Sequence, residues 1–212
     1  MKRAIIFLNG DLSDRETMLR FIKPTDTIIC VDGGANYAYI LGIKPDVIIG
    51  DFDSILPHLL TEYTKQKINM IQFSHEKDET DSELAIDYAR EQGFNSIVLC
   101  GVLGSRIDHF LGNILSLGRL FQKHSDLIIL EGKQEIRAIK NSITLTGTKG
   151  DLVSLIPLTG IAKQVTTKNL QYPLQDEDLL FGYSRGISNV MLTSNSEITM
   201  SEGILLVIHT KI

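Results

Sequence analysis

Val47-Ile48-Ile49-Gly50-Asp51-Phe52-Asp53-Ser54 joins an apolar run to a glycine and two aspartates. The same join recurs in the first half of the chain. Ile28-Ile29-Cys30-Val31 leads into Asp32-Gly33-Gly34, and Met70-Ile71-Gln72-Phe73 precedes Lys77-Asp78-Glu79-Thr80-Asp81. Ile97-Val98-Leu99-Cys100 leads into Gly101-Val102-Leu103-Gly104-Ser105-Arg106-Ile107-Asp108-His109. Consecutive apolar residues, rich in Ile and Val, are what strands covered on both faces require. Such runs are expected at 4–8, 27–31, 46–49, 69–73, 96–100 and 126–130.

Helical patterns lie between these runs. Thr80-Asp81-Ser82-Glu83 is a capping box, so a helix should begin at Asp81. Its apolar spacing continues through Leu84, Ala85, Tyr88 and Ala89. A second helix is expected from about Ile107 to Phe121, with Ser105 as N-cap and Ile107, Phe110, Leu111, Ile114 and Leu117 on its apolar side. This rhythm is that of an open α/β sheet. It stops near Glu131-Gly132. Short β-branched runs follow at 142–146, 152–157, 163–167, 189–193, 197–200 and 204–210, separated by turns such as Gly-Thr-Lys-Gly-Asp and Ser-Glu-Gly. That spacing predicts an all-β sandwich or barrel. The expected division is residues 1–131 and 132–212, marked by a change of rhythm with no flexible linker.

Composition narrows the function. The 212 residues carry a net charge of −5, without the basic footprint of a nucleic-acid binder. No apolar stretch approaches the roughly 20 residues that span a bilayer. The basic residues before Ala4-Ile5-Ile6-Phe7-Leu8 lead into a first strand, because that run ends in Asn-Gly-Asp with no small-residue cleavage site. Cys30 and Cys100 each close an apolar run and are expected to be buried thiols. A cytoplasmic protein with neither membrane nor nucleic-acid partner fits.

Strand–helix alternation brings the aspartates to one edge of a parallel sheet, the edge where ligands bind. In an extended Gly50–Ser54 segment, Asp51 and Asp53 would point to the same side. Two unit charges about 4 Å apart cost roughly 4 kcal/mol at an effective dielectric of about 20, so a convergent set calls for a cation. Oxygen ligands suit Mg²⁺, which usually arrives with phosphates. Gly33-Gly34, Gly101 and Gly104 let backbone approach such a ligand closely and lead into helix N-termini. No Walker A motif and no GxGxxG after the first strand is present. Lys77 and Arg106 are the phosphate cations available in these loops. His109 fits either a base or a helix-face residue, and the histidines at 58, 75, 124 and 209 form no metal-ligand spacing. No activated serine or cysteine nucleophile is visible. Metal-assisted phosphoryl chemistry is the reading that survives.

Five segments together resemble the thiamin pyrophosphokinase family: Asp32-Gly33-Gly34-Ala35-Asn36, Gly50-Asp51-Phe52-Asp53-Ser54, Lys77-Asp78-Glu79-Thr80-Asp81, Gly104-Ser105-Arg106-Ile107-Asp108-His109 and Gly186-Ile187-Ser188-Asn189. The resemblance spans the chain in the family's order. It implies a Rossmann-like ATP domain followed by a β-sandwich, in a homodimer whose thiamin site lies at the subunit interface. It also implies Mg²⁺-dependent transfer of diphosphate from ATP to the thiamin hydroxyl, giving thiamin diphosphate and AMP. By position, Asp51, Asp53 and Asp81 would hold Mg²⁺ with Asp108 close by, all four being the catalytic carboxylates. Asp32, Gly33, Lys77, Asp78, Thr80, Arg106 and His109 would line the nucleotide side, and Ser188 and Asn189 would face the aminopyrimidine. Some family members, notably eukaryotic ones, set a tryptophan near the C-terminal end against the thiamin ring. This chain has no tryptophan, so that platform is missing or replaced. A diphosphokinase acting on a hydroxymethyl pterin and a non-catalytic nucleotide sensor are the alternatives.

Overall fold

The computed structural model describes residues 2–12, 14–73, 79–104, 107–123 and 126–212, and, within the helix beginning at Ile107, no side chains at 109 or 117–123. The chain forms two compact units, residues 1–113 with 126–132, and residues 114–125 with 133–212. No described helix is long and apolar enough to cross a membrane.

The first unit alternates strands and helices: β1 (Arg3–Phe7), α1 (Arg15–Phe21), β2 (Thr27–Val31), α2 (Gly34–Leu41), β3 (Val47–Gly50), α3 (Pro57–Lys65), β4 (Asn69–Gln72), α4 (Asp81–Glu91), β5 (Ser96–Cys100), the start of α5 (Ile107–Lys123), and β6 (Leu127–Glu131). Its strands run in the order β6-β5-β1-β2-β3-β4. Every pairing is parallel, with Phe7 opposite both Cys30 and Cys100. Ile5, Phe7, Ile28, Cys30, Ile48, Val98 and Ile128 pack with Met18, Ala35, Ala38, Leu59 and Tyr63 from α1, α2 and α3. The alternate residues Ile6, Ile29, Ile49, Leu99 and Ile129 are buried as well. Burial on both faces is why the strands read as unbroken apolar runs.

Strand positions follow the expected ones to within a residue at most ends. α1 is capped by Asp14, whose carboxylate accepts from Thr17 N–H at 2.9 Å. α2 ends at Gly42 in the left-handed region (φ 71°), and α3 opens on Pro57 in its first turn. α4 begins at Asp81 with both halves of the Thr80–Glu83 capping box formed. Cys30 and Cys100 are fully buried and unpaired, and burial pushes both thiols up.

Crowded glycines shape the carboxyl edge. A Cβ on Gly34 would stand 2.1 Å from the Phe7 carbonyl oxygen, and one on Gly10 would stand 2.0 Å from that of Leu103. Only glycine lets the β1, β2 and β5 loops close on one another. The strand order places the switch point between β1 and β5, because connections run outward on either side.

The second unit holds β7 (Gln134–Ile139), β8 (Ser142–Thr146), β9 (Leu152–Pro157), β10 (Ile161–Lys168), β11 (Glu177–Leu180), β12 (Asn189–Val190), β13 (Asn195–Thr199) and β14 (Leu205–Thr210). Antiparallel pairings give the orders β12-β9-β14-β7 and β11-β10-β13-β8. Val153, Leu155 and Val207 from the first set pack with Leu145, Val165, Leu179 and Ile198 from the second, as a β-sandwich requires. β7 and β11 were absent from the sequence expectation, because Glu135, Arg137, Glu177 and Asp178 break their apolar patterns. The run expected at 189–193 pairs as strand only at Asn189–Val190. His209, read as incidental, is buried and bonds Asp151 at 2.9 Å through Nε2.

The Gly34→Ala variant should lose at least about 2 kcal/mol of stability, since its Cβ meets fixed backbone. Gly112→Ala, with nothing within 4 Å, should be neutral or gain up to about 1 kcal/mol in helix propensity. Chemical denaturation of both variants checks the contrast, and equal midpoints would refute the crowding at Gly34.

Candidate active site

The carboxyl edge of the parallel sheet is assembled by its own polar groups. Asp32 follows β2 in the left-handed region (φ 44°) and is 8% exposed. Its carboxylate accepts Phe52 N–H at 3.0 Å, which seats the loop after β3 on the end of β2. Gly50 makes this possible. A Cβ there would stand 1.8 Å from Asp32 Oδ1, and its φ of 140° disfavours any side chain. Asn36 completes the clamp by accepting Leu56 N–H at 3.1 Å and donating to the Ser54 carbonyl at 2.9 Å. Thus Asp32-Gly33-Gly34-Ala35-Asn36 holds Gly50-Asp51-Phe52-Asp53-Ser54 from both ends.

Within that loop the expectation of an extended segment is corrected. Phe52 has φ 71°, which turns the chain between the two aspartates, so strand alternation does not govern where they point. Asp51 accepts Asp53 N–H at 3.0 Å, and Asp53 accepts Ser54 Oγ–H at 2.7 Å. Asp51 is half-buried and Asp53 exposed.

Asp81 is the first residue of α4 and Asp108 lies in the first turn of α5. Ser82 Oγ donates to Asn113 Oδ1 at 3.0 Å, so the residue beside Asp81 is tied to α5, one turn beyond Asp108. Thr80, expected on the nucleotide side, is occupied as the N-cap: its hydroxyl accepts Glu83 N–H at 3.3 Å and lies 2.9 Å from Ser82 Oγ. Gly33 lies against Asn9, whose Oδ1 would stand 1.9 Å from an added Cβ. Lys77, Asp78, Ser105 and Arg106 fall outside the described residues, as does the side chain of His109.

The electrostatics link these carboxylates. Burial, together with the negative charges of Asp81, Asp51 and Asp53, pushes Asp32 up to about 6, against the lowering effect of the Phe52 N–H. Among the described residues no three His, Cys, Asp or Glu side chains converge tightly enough to hold one ion by themselves. The donors are all hard carboxylate oxygens in a shared negative field. They fit Mg²⁺ of the kind that takes one or two carboxylates and completes its shell with phosphate and water.

Glu131, at the end of β6, went unnoticed in the sequence. It is 4% exposed and accepts the N–H groups of Val102 and of Leu103, the latter at 3.1 Å. Burial pushes it up to about 7.

The β unit carries a cavity of about 420 Å³ lined by Tyr172, Leu174, Tyr183, Arg185, Gly186, Ile187 and their neighbours. Tyr172 and Tyr183 are 56% and 69% exposed. The Asn189 amide, expected to face a ligand, turns into its own chain: Oδ1 accepts Tyr172 N–H at 2.9 Å and Nδ2 donates to the Tyr172 carbonyl at 2.7 Å. Asn189 also lines the cavity, and these two bonds fix the backbone of Tyr172 beside it. Ser188 is exposed at φ 59°, with its N–H donated to Ser154 Oγ at 3.0 Å.

Because the folded-state pKa of Asp32 lies above its ordinary value, its ionisation weakens the fold. Stability is fullest below the ordinary aspartate range and falls as pH rises toward and through 6. Asp32→Asn keeps an oxygen for Phe52 N–H and removes the charge. Without divalent cations it should gain about 1–2 kcal/mol at pH 7.5, after allowance for solvent screening, and nothing near pH 4. Thermal melts across this range measure it. A variant no more stable than the wild type at pH 7.5 would refute the shared field.

Residues 18–129 match the family model "Thiamin pyrophosphokinase, catalytic domain", and residues 138–205 match "Thiamin pyrophosphokinase, vitamin B1 binding domain". The chain is 30% identical over 185 residues to thiamine pyrophosphokinase of Bacillus subtilis, covering 86% of each. It is 29% identical to thiamine pyrophosphokinase 1 of Arabidopsis thaliana over 86% of this chain and 78% of the relative. The crystal structure of the Bacillus subtilis protein superposes with a TM-score of 0.89 at 27% identity, over 99% of both chains. Yeast thiamin pyrophosphokinase, at 18% identity, shares the fold with a TM-score of 0.78 over 99% of this chain and 86% of its own. Two domain matches in sequence order, on this sheet edge and this β-sandwich, establish that the chain belongs to the thiamin pyrophosphokinase family.

Proposed function

We propose that the chain transfers the terminal diphosphate of ATP to the hydroxyl of thiamin, with residues 1–131 binding ATP and residues 132–212 binding the vitamin. The observation that carries the phosphoryl half is the joint field of Asp51, Asp53 and Asp81 on Asp32. Three carboxylates whose charges together raise the proton affinity of a fourth, Asp32, make a site suited to a cation and its phosphates. Asp51, Asp53 and Asp81 would hold Mg²⁺, with Asp108 nearby. When bound, Mg²⁺ supplies charge neutralisation on the transferred phosphates.

The chain's own residues do the positioning. The Asp32 and Asn36 clamps fix the loop bearing Asp51 and Asp53, and the Ser82–Asn113 bond fixes Asp81 relative to α5. By resemblance to the family, Lys77 and Arg106 would supply positive charge to the nucleotide, and Gly33, Asp78 and His109 would line it. The thiamin hydroxyl oxygen bonds to the β-phosphorus as the α–β bridging bond breaks. The bridging oxygen leaves with AMP, and the hydroxyl proton passes to a carboxylate, Asp81 or Asp108.

On the vitamin side, Tyr172 supplies the aromatic face that the missing tryptophan would have given. An exposed ring whose backbone is held at both polar atoms by Asn189 is pre-organised for stacking on a cationic heteroaromatic ring. Exposed Tyr183 and Ile187 line the same cavity, and exposed Leu180 and Phe181 lie in the turn just before Tyr183, so this apolar surface suits burial against a second copy of the chain. That supports a homodimer with the vitamin at its interface. Two buried, unpaired thiols fit a cytoplasmic setting.

With ATP and Mg²⁺, AMP and thiamin diphosphate should form in equal amounts and only when thiamin is present. AMP formation with a hydroxymethyl pterin and none with thiamin would transfer the mechanism to another acceptor. Tight ATP binding with no AMP would make the chain a sensor. Asp53→Asn should lower turnover roughly 10²-fold or more at saturating Mg²⁺, and near-normal turnover would remove Asp53 from the metal set. Tyr172→Ala should raise KM for thiamin about tenfold or more, the loss of a stacking contact of about 1–2 kcal/mol, while Tyr172→Phe keeps the wild-type value. An unchanged KM for Tyr172→Ala would place the ring elsewhere.

A further inference from the structure

Glu131 is a buried carboxylate with no part in the chemistry above. It ends β6, beside the end of β5, where Leu130 stands opposite Cys100. Its oxygen Oε1 accepts the N–H groups of both Val102 and Leu103. The turn it grips is itself a brace. Gly101 carbonyl accepts Gly10 N–H at 2.8 Å, and Leu103 carbonyl accepts Asp11 N–H. One carboxylate therefore sets the loop after β5, and through it the loop after β1, on both sides of the switch point.

A neutral acceptor would satisfy two N–H groups at lower cost than a buried charge. The backbone N–H groups it accepts favour its charged form, but burial outweighs them. Asp11 adds negative charge, Tyr37 is pushed up by burial and further by Asp11 and Glu131, and the Cys100 thiol, raised by burial, is pushed up further by Glu131. The reward lies in geometry. Two successive backbone N–H groups after a strand form an anion-binding concavity, and here the protein fills it with its own carboxylate. The turn is thereby locked in one shape before any ligand arrives. It also leads directly into the segment that opens α5, where Asp108 stands.

We propose that Glu131 is a positioning residue of the ATP edge: reach and acceptor oxygen, not its charge, hold the Gly101–Gly104 turn in the shape that nucleotide binding needs. This rests on the ATP-binding reading of that edge. Glu131→Gln keeps the reach and removes the charge; Glu131→Asp keeps the charge and withdraws the oxygen by one methylene. In the full-length protein, KM for ATP should rise at least tenfold in Glu131→Asp and stay within threefold in Glu131→Gln, with KM for thiamin unchanged in both. Amide hydrogen exchange at Val102 and Leu103, read by NMR without nucleotide, should accelerate at least tenfold in Glu131→Asp alone. The reverse order, with Glu131→Gln impaired and Glu131→Asp normal, would overturn the proposal, as would unchanged protection of both amides in Glu131→Asp. If the wild type forms no AMP, the ATP reading fails by itself, and the exchange rates still decide whether Glu131 holds the turn.

Discussion

The hydrogen bond from Phe52 N–H to the Asp32 carboxylate is the contact on which the active edge depends. It crosses from the end of β2 to the loop after β3 and passes over Gly50, where no side chain fits. Without it, the Asn36 bonds would still hold the far end of the loop, at Ser54 and Leu56, but not the turn between Asp51 and Asp53. With it, a buried carboxylate lies within the field of three others. Position and potential come from one residue. The cost is visible in Asp32 itself, held up to about 6, a proton affinity that a bound cation would reverse. A site that is least stable when empty and ionised gains most from its ligand.

Much of this was legible from residue order. Unbroken Ile and Val runs located the parallel strands because both faces of the sheet are covered. The Thr80–Glu83 pair marked the start of α4 to the residue, because a capping box is local and reciprocal. The glycines after β2 and β5 announced close backbone approach, and Gly34 and Gly101 lie against Phe7 and Leu8 carbonyls. Where the sequence misled, a local rule met a tertiary constraint. Alternation fails at Asp51 and Asp53 because the Asp32 bond draws Phe52 into a left-handed conformation. Charged residues hid β7 and β11, since one face of an antiparallel strand tolerates them.

Other residues were illegible for a different reason. Glu131 before Gly132 reads as an ordinary turn residue. Only pairing with β5 brings its carboxylate to the Val102 and Leu103 amides, about thirty positions earlier in the chain. Tyr172, between Gln171 and Pro173, carries no periodic signal at all. Its exposure beside the cavity and its grip by Asn189 arise from a pairing across seventeen positions. Such contacts are fixed by topology, and a linear motif does not contain them.

The same comparison separates two kinds of motif residue. Asn36, Thr80 and Asn189 stand inside the segments that mark the family, and each spends its polar atoms on its own chain. Neutral amides and hydroxyls suit this work, because they satisfy backbone groups without adding to a crowded negative field. The acidic residues add charge as well: Asp51 and Asp53 also accept from their own loop, and with Asp81 they build the negative field felt at Asp32. A motif of this kind is thus a scaffold and a charge set interleaved, and substitution at its neutral positions acts on the geometry in which the charges meet. Asn189, the residue most readily taken for a ligand contact, is such a neutral position: both atoms of its amide hold the backbone of Tyr172.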